Sequence, residues 1–268
     1  MRVVVITGAS DGIGAEMARR IAAKQGGGVA LVLAARSREA LESVAGACDA
    51  LGAQTLVCPT DVGVQAQCVA LIDAAVAKFG RIDVLVNNAG RSAQALFEDV
   101  ADLGWYEELM RINLWGSVWC THAALPHLKA SRGSIVAVSS LAGLVGVPGR
   151  TAYAATKFAM TGFFEALRIE LNGAGVSVTT AYPGVVATKI RHRGFNAAGQ
   201  QAGSSGLKED GAMTVEECAR LIVDGMNARK RDVVMTLQGK AGRFLKLVAP
   251  GLVDKLALAA VKDDVRPH

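Results

Sequence analysis

A β-branched run from Arg2 to Ile6 passes directly into Thr7-Gly8-Ala9-Ser10-Asp11-Gly12-Ile13-Gly14. A helical pattern follows from about Ile13 to Lys24, with Met17, Ala18 and Ile21 on one stripe. Strand, glycine turn and helix in that order make the frame a phosphate cradle needs. Glycines let a backbone approach a pyrophosphate closely, and a helix N-terminus offers unpaired N–H groups and the positive end of its dipole. The spacing here, Gly-x-x-x-Gly-x-Gly, differs from the Gly-x-Gly-x-x-Gly of the standard dinucleotide fingerprint.

A second stretch, Ser140 to Lys157, begins at the end of an apolar run, Ile135 to Val138, that reads as a buried strand. It ends inside a periodic segment, Ala152 to Leu171, that reads as a helix. Gly143, Gly146, Pro148 and Gly149 make the loop that returns Ser140 toward the helix start. Four residues apart on a helix, Tyr153 and Lys157 project from one face, so a phenol hydroxyl sits near an ammonium. A neighbouring cation favours a phenolate and makes the hydroxyl usable as a general acid and base, with Ser140 hydrogen-bonding the oxygen that changes charge. Taken alone, Tyr-x-x-x-Lys is far more often a buried tyrosine beside a solvated lysine, so spacing by itself decides nothing.

The matching company lies elsewhere in the chain: Asp61-Val62, Asn87-Asn88-Ala89-Gly90, Asn113 and Pro183-Gly184-Val185-Val186-Ala187-Thr188. With the glycine turn and Ser140, Tyr153 and Lys157, these occur in the order found in short-chain dehydrogenases/reductases, and the chain resembles that family over roughly residues 1 to 236. The resemblance implies an α/β fold, a doubly wound parallel sheet of the Rossmann type, with a catalytic domain over 1–238 and a C-terminal helical tail over 239–268. It also implies a nicotinamide-dependent oxidoreductase acting on a carbonyl or alcohol substrate. Asn113, Ser140, Tyr153 and Lys157 would form a catalytic tetrad, with Asn113 holding a water that links the lysine to solvent. Ser139 rivals Ser140; the choice of Ser140 follows the family's usual separation of 13 residues from the tyrosine. The cofactor would be held by Gly8, Ser10, Asp11, Gly12, Ile13 and Gly14, by Asp61 and Val62 at the adenine, and by Asn87, Ala89 and Gly90 at a ribose. Tyr153 and Lys157, then Pro183, Gly184, Val186 and Thr188, would meet its nicotinamide end.

The choice of dinucleotide falls to the end of the second strand, Val29 to Ala35, continuously apolar as a parallel strand covered on both faces should be. Where an NAD site places a carboxylate for the ribose 2′-hydroxyl, this chain has Ala34-Ala35-Arg36-Ser37-Arg38. A guanidinium pairs well with phosphate, so Arg36 and Ser37 point to NADP. The alternative is that the arginines only open the next helix. NADP-preferring relatives often carry a basic residue in the glycine loop, where this chain has Asp11. Asp61 also reads as the N-cap of a helix running to Phe79, and Asn113 interrupts a long helical pattern from Leu103 to Leu128.

Composition narrows the remaining classes. The chain has 268 residues, 51% of them hydrophobic, enough for one large core. Its net charge of +5 comes with no basic block or interleaved aromatic run, which argues against a nucleic-acid partner. The five cysteines form no Cys-x-x-Cys pair and share no ligand spacing with the histidines, so no metal site is expected. No signal peptide or membrane-length apolar run is evident, and a soluble, cytoplasmic homodimer or homotetramer is the expectation. The loop 189–213, poor in periodicity, reads as a substrate cover using Phe195, Leu207 and Met213, with Leu141, Val145 and Val147 as further pocket wall. The tail alternates apolar residues with Arg243, Lys246, Lys255 and Lys262, which suits packing on protein or peripheral contact with a membrane. Two rival functions remain: a serine hydrolase using Ser10 in Gly-x-Ser-x-Gly, and a non-catalytic NADP-binding regulator.

Overall fold

The computed structural model describes residues 1–262, and the last six residues of the expected tail lie outside the described residues. β-Branched runs form seven parallel strands: β1 (Arg2–Thr7), β2 (Val29–Ala35), β3 (Gln54–Pro59), β4 (Val84–Asn87), β5 (Ser134–Val138), β6 (Ser177–Tyr182) and β7 (Asp232–Val234). They pair in the order β3-β2-β1-β4-β5-β6-β7. Chain order reverses between β1 and β4, so the crevice above their carboxyl ends is the place where such sheets bind ligands.

The helices are α1 (Gly12–Gln25), α2 (Arg38–Asp49), α3 (Gln65–Phe79), α4 (Gly104–Met110), α5 (Gly116–Ser131), α6 (Thr151–Glu170), α7 (Val215–Asn227), α8 (Leu237–Val248) and α9 (Pro250–Ala259). One sheet face is covered by α1, α2 and α7 through residues such as Met17, Leu41 and Ile222. The opposite face is covered by α3, α5 and α6 through Ile72, Leu128 and Phe164. With both faces covered, the strands have no polar side, which is why β2 shows no alternation.

Three expectations change. Asp61 does not cap α3: Val64 is the N-cap, and Asp61 Oδ1 instead accepts from Gly63 N at 2.9 Å, closing a turn one step earlier. The long helical pattern around Asn113 is not one regular helix. A π-helical turn, Arg111–Trp115, separates α4 from α5 and carries Asn113 inward. Such turns re-aim a side chain within a helix. The tail helix begins at Leu237, slightly before the expected boundary, and Pro250 opens α9 at a position where its missing N–H costs nothing.

Candidate active site

Above the carboxyl ends of β1, β4, β5 and β6 lies one continuous cleft of about 1470 Å³. Drug-sized ligand pockets run to about 1,000 Å³, so this volume has room for more than one small molecule. At one end the turn after β1 bends sharply, with Gly8 at φ +66° and Gly12 at φ +53°, a left-handed conformation that favours glycine. A Cβ at Gly8 would stand 2.8 Å from both Ala89 Cα and Asn88 Nδ2. The turn is therefore open to a ligand and closed to side chains. Asp11 caps α1 by accepting from Gly12 N at 2.7 Å, and Ile13, in the first helical turn, lines the cleft. At the tip of β2, Arg36 is exposed and Ser37 caps α2, accepting from Ala40 N at 3.3 Å. These donors suit the phosphates of a dinucleotide.

The other end is built by α6. Tyr153 and Lys157, one turn apart, are both buried, and Lys157 Nζ lies 5.7 Å from the centre of the Tyr153 ring. The ammonium donates to the Val138 carbonyl at 2.9 Å, which ties α6 to the end of β5. Burial pushes Lys157 below the usual lysine range; Tyr153 counters this and Arg150 adds to it. Ser140 lines the cleft, its hydroxyl accepting from Ala142 N at 3.2 Å. Ser139 turns inward, bonding the Lys157 carbonyl at 3.3 Å and Thr161 at 3.4 Å. Both serines border the cleft, but the Ser139 hydroxyl is spent on α6 while that of Ser140 bonds only its own turn.

Of the residues expected from sequence, Ser10, Asp11, Asp61, Val62, Ala89, Gly90, Pro183, Gly184, Val186 and Thr188 also line the cleft. Three expected members lie outside the lining. Gly14 is buried against the turn, where a Cβ would collide with the Gly8 carbonyl, so its role is close packing. Asn113 is fully buried; its Oδ1 accepts from Arg91 N at 2.8 Å, and its Nδ2 donates to Arg91 O at 2.9 Å and Thr156 Oγ1 at 3.0 Å. Asn87 points into the core toward Thr121 at 2.9 Å and bonds no backbone. Asn88, beside it, clamps the end of β1: its Nδ2 donates to the carbonyls of Thr7 at 3.0 Å and Gly8 at 3.1 Å. Phe195 is also corrected: it packs on Trp105 and under the Arg91 guanidinium rather than facing the cleft.

Several residues escaped the sequence reading. Arg150, just before α6, is buried with its guanidinium carbon 4.4 Å over the Tyr153 ring, and it donates to Ser92 Oγ at 2.5 Å. Arg193 of the 189–213 loop pairs with Asp11 at 3.0 Å, so a cation stands beside the acid in the glycine turn. The tail contributes Leu245, Val253 and Leu256 to the cleft mouth, and it is tied to the loop by a bridge between Leu207 and Val261. No histidine lines the cleft among the described residues, so Ser10 lacks the base a serine hydrolase needs.

The sequence profile of the short chain dehydrogenases matches residues 2–198, the segment that builds the turn, the cleft and α6. The chain belongs to the short-chain dehydrogenase family. Among curated proteins, this dehydrogenase is 37% identical over 253 residues to "11-beta-hydroxysteroid dehydrogenase-like 4A" of Arabidopsis thaliana, covering 94% of this chain and 82% of that protein. It is 36% identical over 259 residues to "11-beta-hydroxysteroid dehydrogenase A" of Sesamum indicum, covering 94% and 73%. Among solved structures, it superposes with a TM-score of 0.75 and 26% identity on an alcohol dehydrogenase from the archaeon Thermococcus sibiricus complexed with 5-hydroxy-NADP. That match covers 87% of this chain and 94% of the other.

Proposed function

We propose that this dehydrogenase is an NADP(H)-dependent oxidoreductase that interconverts a carbonyl compound and its alcohol. The single observation that supports it best is that Ser140, Tyr153 and Lys157 meet on one wall of a cleft whose other end is an open glycine turn beside Arg36. The complex of the archaeal relative with 5-hydroxy-NADP supports the cofactor choice. When bound, the nicotinamide supplies the hydride that reaches the carbonyl carbon.

The protein's part is positional and electrostatic. In the reducing direction Tyr153 gives its hydroxyl proton to the carbonyl oxygen, and Ser140 donates a hydrogen bond that holds that oxygen in place. Lys157 favours the resulting phenolate and would bind the nicotinamide ribose, and Asn113, its amide already bonded to Arg91 and Thr156, would anchor through its backbone carbonyl the water by which the proton is replaced. Arg36 and Ser37 would hold the 2′-phosphate, and Gly8, Gly12 and the start of α1 would hold the pyrophosphate. In the oxidising direction each proton moves back.

The substrate is lipophilic in this reading. Leu141, Val145, Val147, Leu207, Met213 and Leu245 give the cleft an apolar wall, and the curated relatives carry steroid-dehydrogenase names. No helix among the described residues is long and apolar enough to cross a membrane. The outer face of α8 nevertheless exposes Leu237, Phe244, Leu247 and Val248 beside Lys240, Arg243 and Lys246, a surface suited to a subunit partner or a lipid headgroup layer. Subunit pairing through α6 and the π-helical turn that leads into α5, where Phe158, Ile169 and Trp115 are exposed, fits a homodimer or homotetramer.

The test is a panel of ketones, aldehydes, steroids and retinoids followed at the NADPH absorbance band, with NADH in parallel. Oxidation of NADPH, faster than of NADH, is expected with at least one apolar carbonyl compound. Tight NADPH binding without oxidation across the panel would favour the non-catalytic regulator instead.

A further inference from the structure

Five arginines line the cleft: Arg36, Arg91, Arg150, Arg191 and Arg193. Three of them have a carboxylate partner. Arg91 faces Glu108 at 3.3 Å, Arg191 faces Glu209 at 2.7 Å and Arg193 faces Asp11 at 3.0 Å. Arg36 has none among the described residues, but it is exposed at the tip of β2, where an incoming phosphate satisfies it. Arg150 has none either, and it is only 7% exposed.

A buried guanidinium keeps its charge, because arginine does not give up its proton within a protein, and a buried charge without a counter-ion is strongly unfavourable. The local chemistry makes matters worse. Among the described residues the one hydrogen-bond acceptor for the Arg150 side chain is the Ser92 hydroxyl, and Nε is sealed from solvent without one. Arg150 itself lines the cleft, and its Nη1 has no acceptor among the described residues. Burial and the nearby Arg191 push the guanidinium below the usual arginine range, with Tyr153 opposing. Such a group is complete only when an anion arrives.

We propose that Arg150 binds an anionic group of the substrate, so that the carbonyl compound this cleft accepts is an oxo-acid with an apolar remainder. This rests on the carbonyl reductase reading above. Because the guanidinium carbon lies 4.4 Å from the Tyr153 ring, the carboxylate sits within a few bonds of the carbonyl that Tyr153 protonates. Ser92 holds the guanidinium toward the cleft, and the wall of Leu141, Val145, Val147 and Leu207 takes the aliphatic or aromatic tail. The product is the matching hydroxy-acid.

The test compares medium-chain 3-oxo- and 4-oxo-carboxylic acids with their methyl esters, using NADPH and the full-length enzyme. Wild-type enzyme should prefer the acids by at least about tenfold in kcat/KM, the order expected of one charge-assisted contact. Arg150→Met should erase that preference by raising KM for the acids while the esters keep theirs; Arg150→Lys, which retains the charge, should keep part of it. Equal turnover of acids and esters by wild type overturns the proposal. So does an equal fall in kcat for both in Arg150→Met, which would make Arg150 a support for Tyr153 alone.

Binding separates this from a failure of the reductase reading. A saturated, non-reducible acid should quench the fluorescence of enzyme-bound NADPH in wild type and not in Arg150→Met. If it does so while no carbonyl compound is reduced, Arg150 keeps its role and the reductase reading falls.

Discussion

Replacing Lys157 with methionine should stabilise the cofactor-free enzyme while abolishing its activity. Lys157 is 4% exposed, and its ammonium has one hydrogen bond, to the Val138 carbonyl at 2.9 Å, with Met160 Sδ at 3.9 Å. An ammonium carries three donors, so the site leaves part of its hydrogen-bonding capacity unmet and gives the charge no carboxylate. Methionine has nearly the same length and fills the same channel without a charge. Exchanging buried charges for apolar side chains of similar volume is commonly neutral or stabilising by about 1–4 kcal/mol. Losing the bond to Val138 leaves a buried carbonyl short of a donor and offsets about 1 kcal/mol of that. A net gain of up to about 3 kcal/mol raises Tm by roughly 2–4 °C for each kcal/mol in a domain of this size.

The dependence on pH has a definite sign. Burial lowers the Lys157 value in the folded state, so the unfolded chain holds that proton more tightly. The penalty in wild type is complete at pH below the lowered value and fades as pH rises toward the ordinary lysine value of 10.5. Thermal melts of the ligand-free proteins at neutral and alkaline pH read this directly. The advantage of Lys157→Met should be largest at neutral pH and shrink on going alkaline. A variant less stable than wild type at neutral pH, or an advantage that grows with pH, would refute the reasoning.

The cofactor end makes a selective prediction: Arg36→Ala removes charge-assisted hydrogen bonds worth about 1.5–3 kcal/mol, so KM for NADPH should rise roughly 10- to 150-fold while KM for NADH stays put. Equal losses for both cofactors in steady-state kinetics would remove Arg36 from the 2′-phosphate site. The two serines should separate: Ser140→Ala should lower kcat by about 10²–10³-fold with little change in Tm. Ser139→Ala, which loses its bonds to the Lys157 carbonyl and Thr161, should instead cost about 1 kcal/mol of stability in denaturant titrations and leave most of the activity.

The strands were legible because parallel strands buried on both faces appear as unbroken apolar runs, and β2 coincides with its run from Val29 to Ala35. The glycine turn and the Tyr153–Lys157 pair were legible because each depends on spacing within a single element. What depended on facing was harder. Asn87 and Asn88 are identical in type, and only the strand's alternation sends Asn87 to the core and leaves Asn88 to clamp the end of β1. Asp61 has the composition of an N-cap, but Gly63 takes its carboxylate first. Arg150 left no signal, since an arginine after Pro148-Gly149 reads as a solvated loop residue until Tyr153 and Ser92 close around it. Pairing across 182 residues, as between Asp11 and Arg193, has no sequence period at all.

The most direct measurement follows deuterium from C4-labelled NADPH into a carbonyl substrate, in wild type and in Tyr153→Phe, with NADPH affinity measured alongside. Wild-type enzyme should place the label on the carbinol carbon, and Tyr153→Phe should do so about 10²–10⁴-fold more slowly with NADPH bound as tightly as before. Label transfer at an undiminished rate without the hydroxyl would contradict the assignment of Tyr153 as the proton donor.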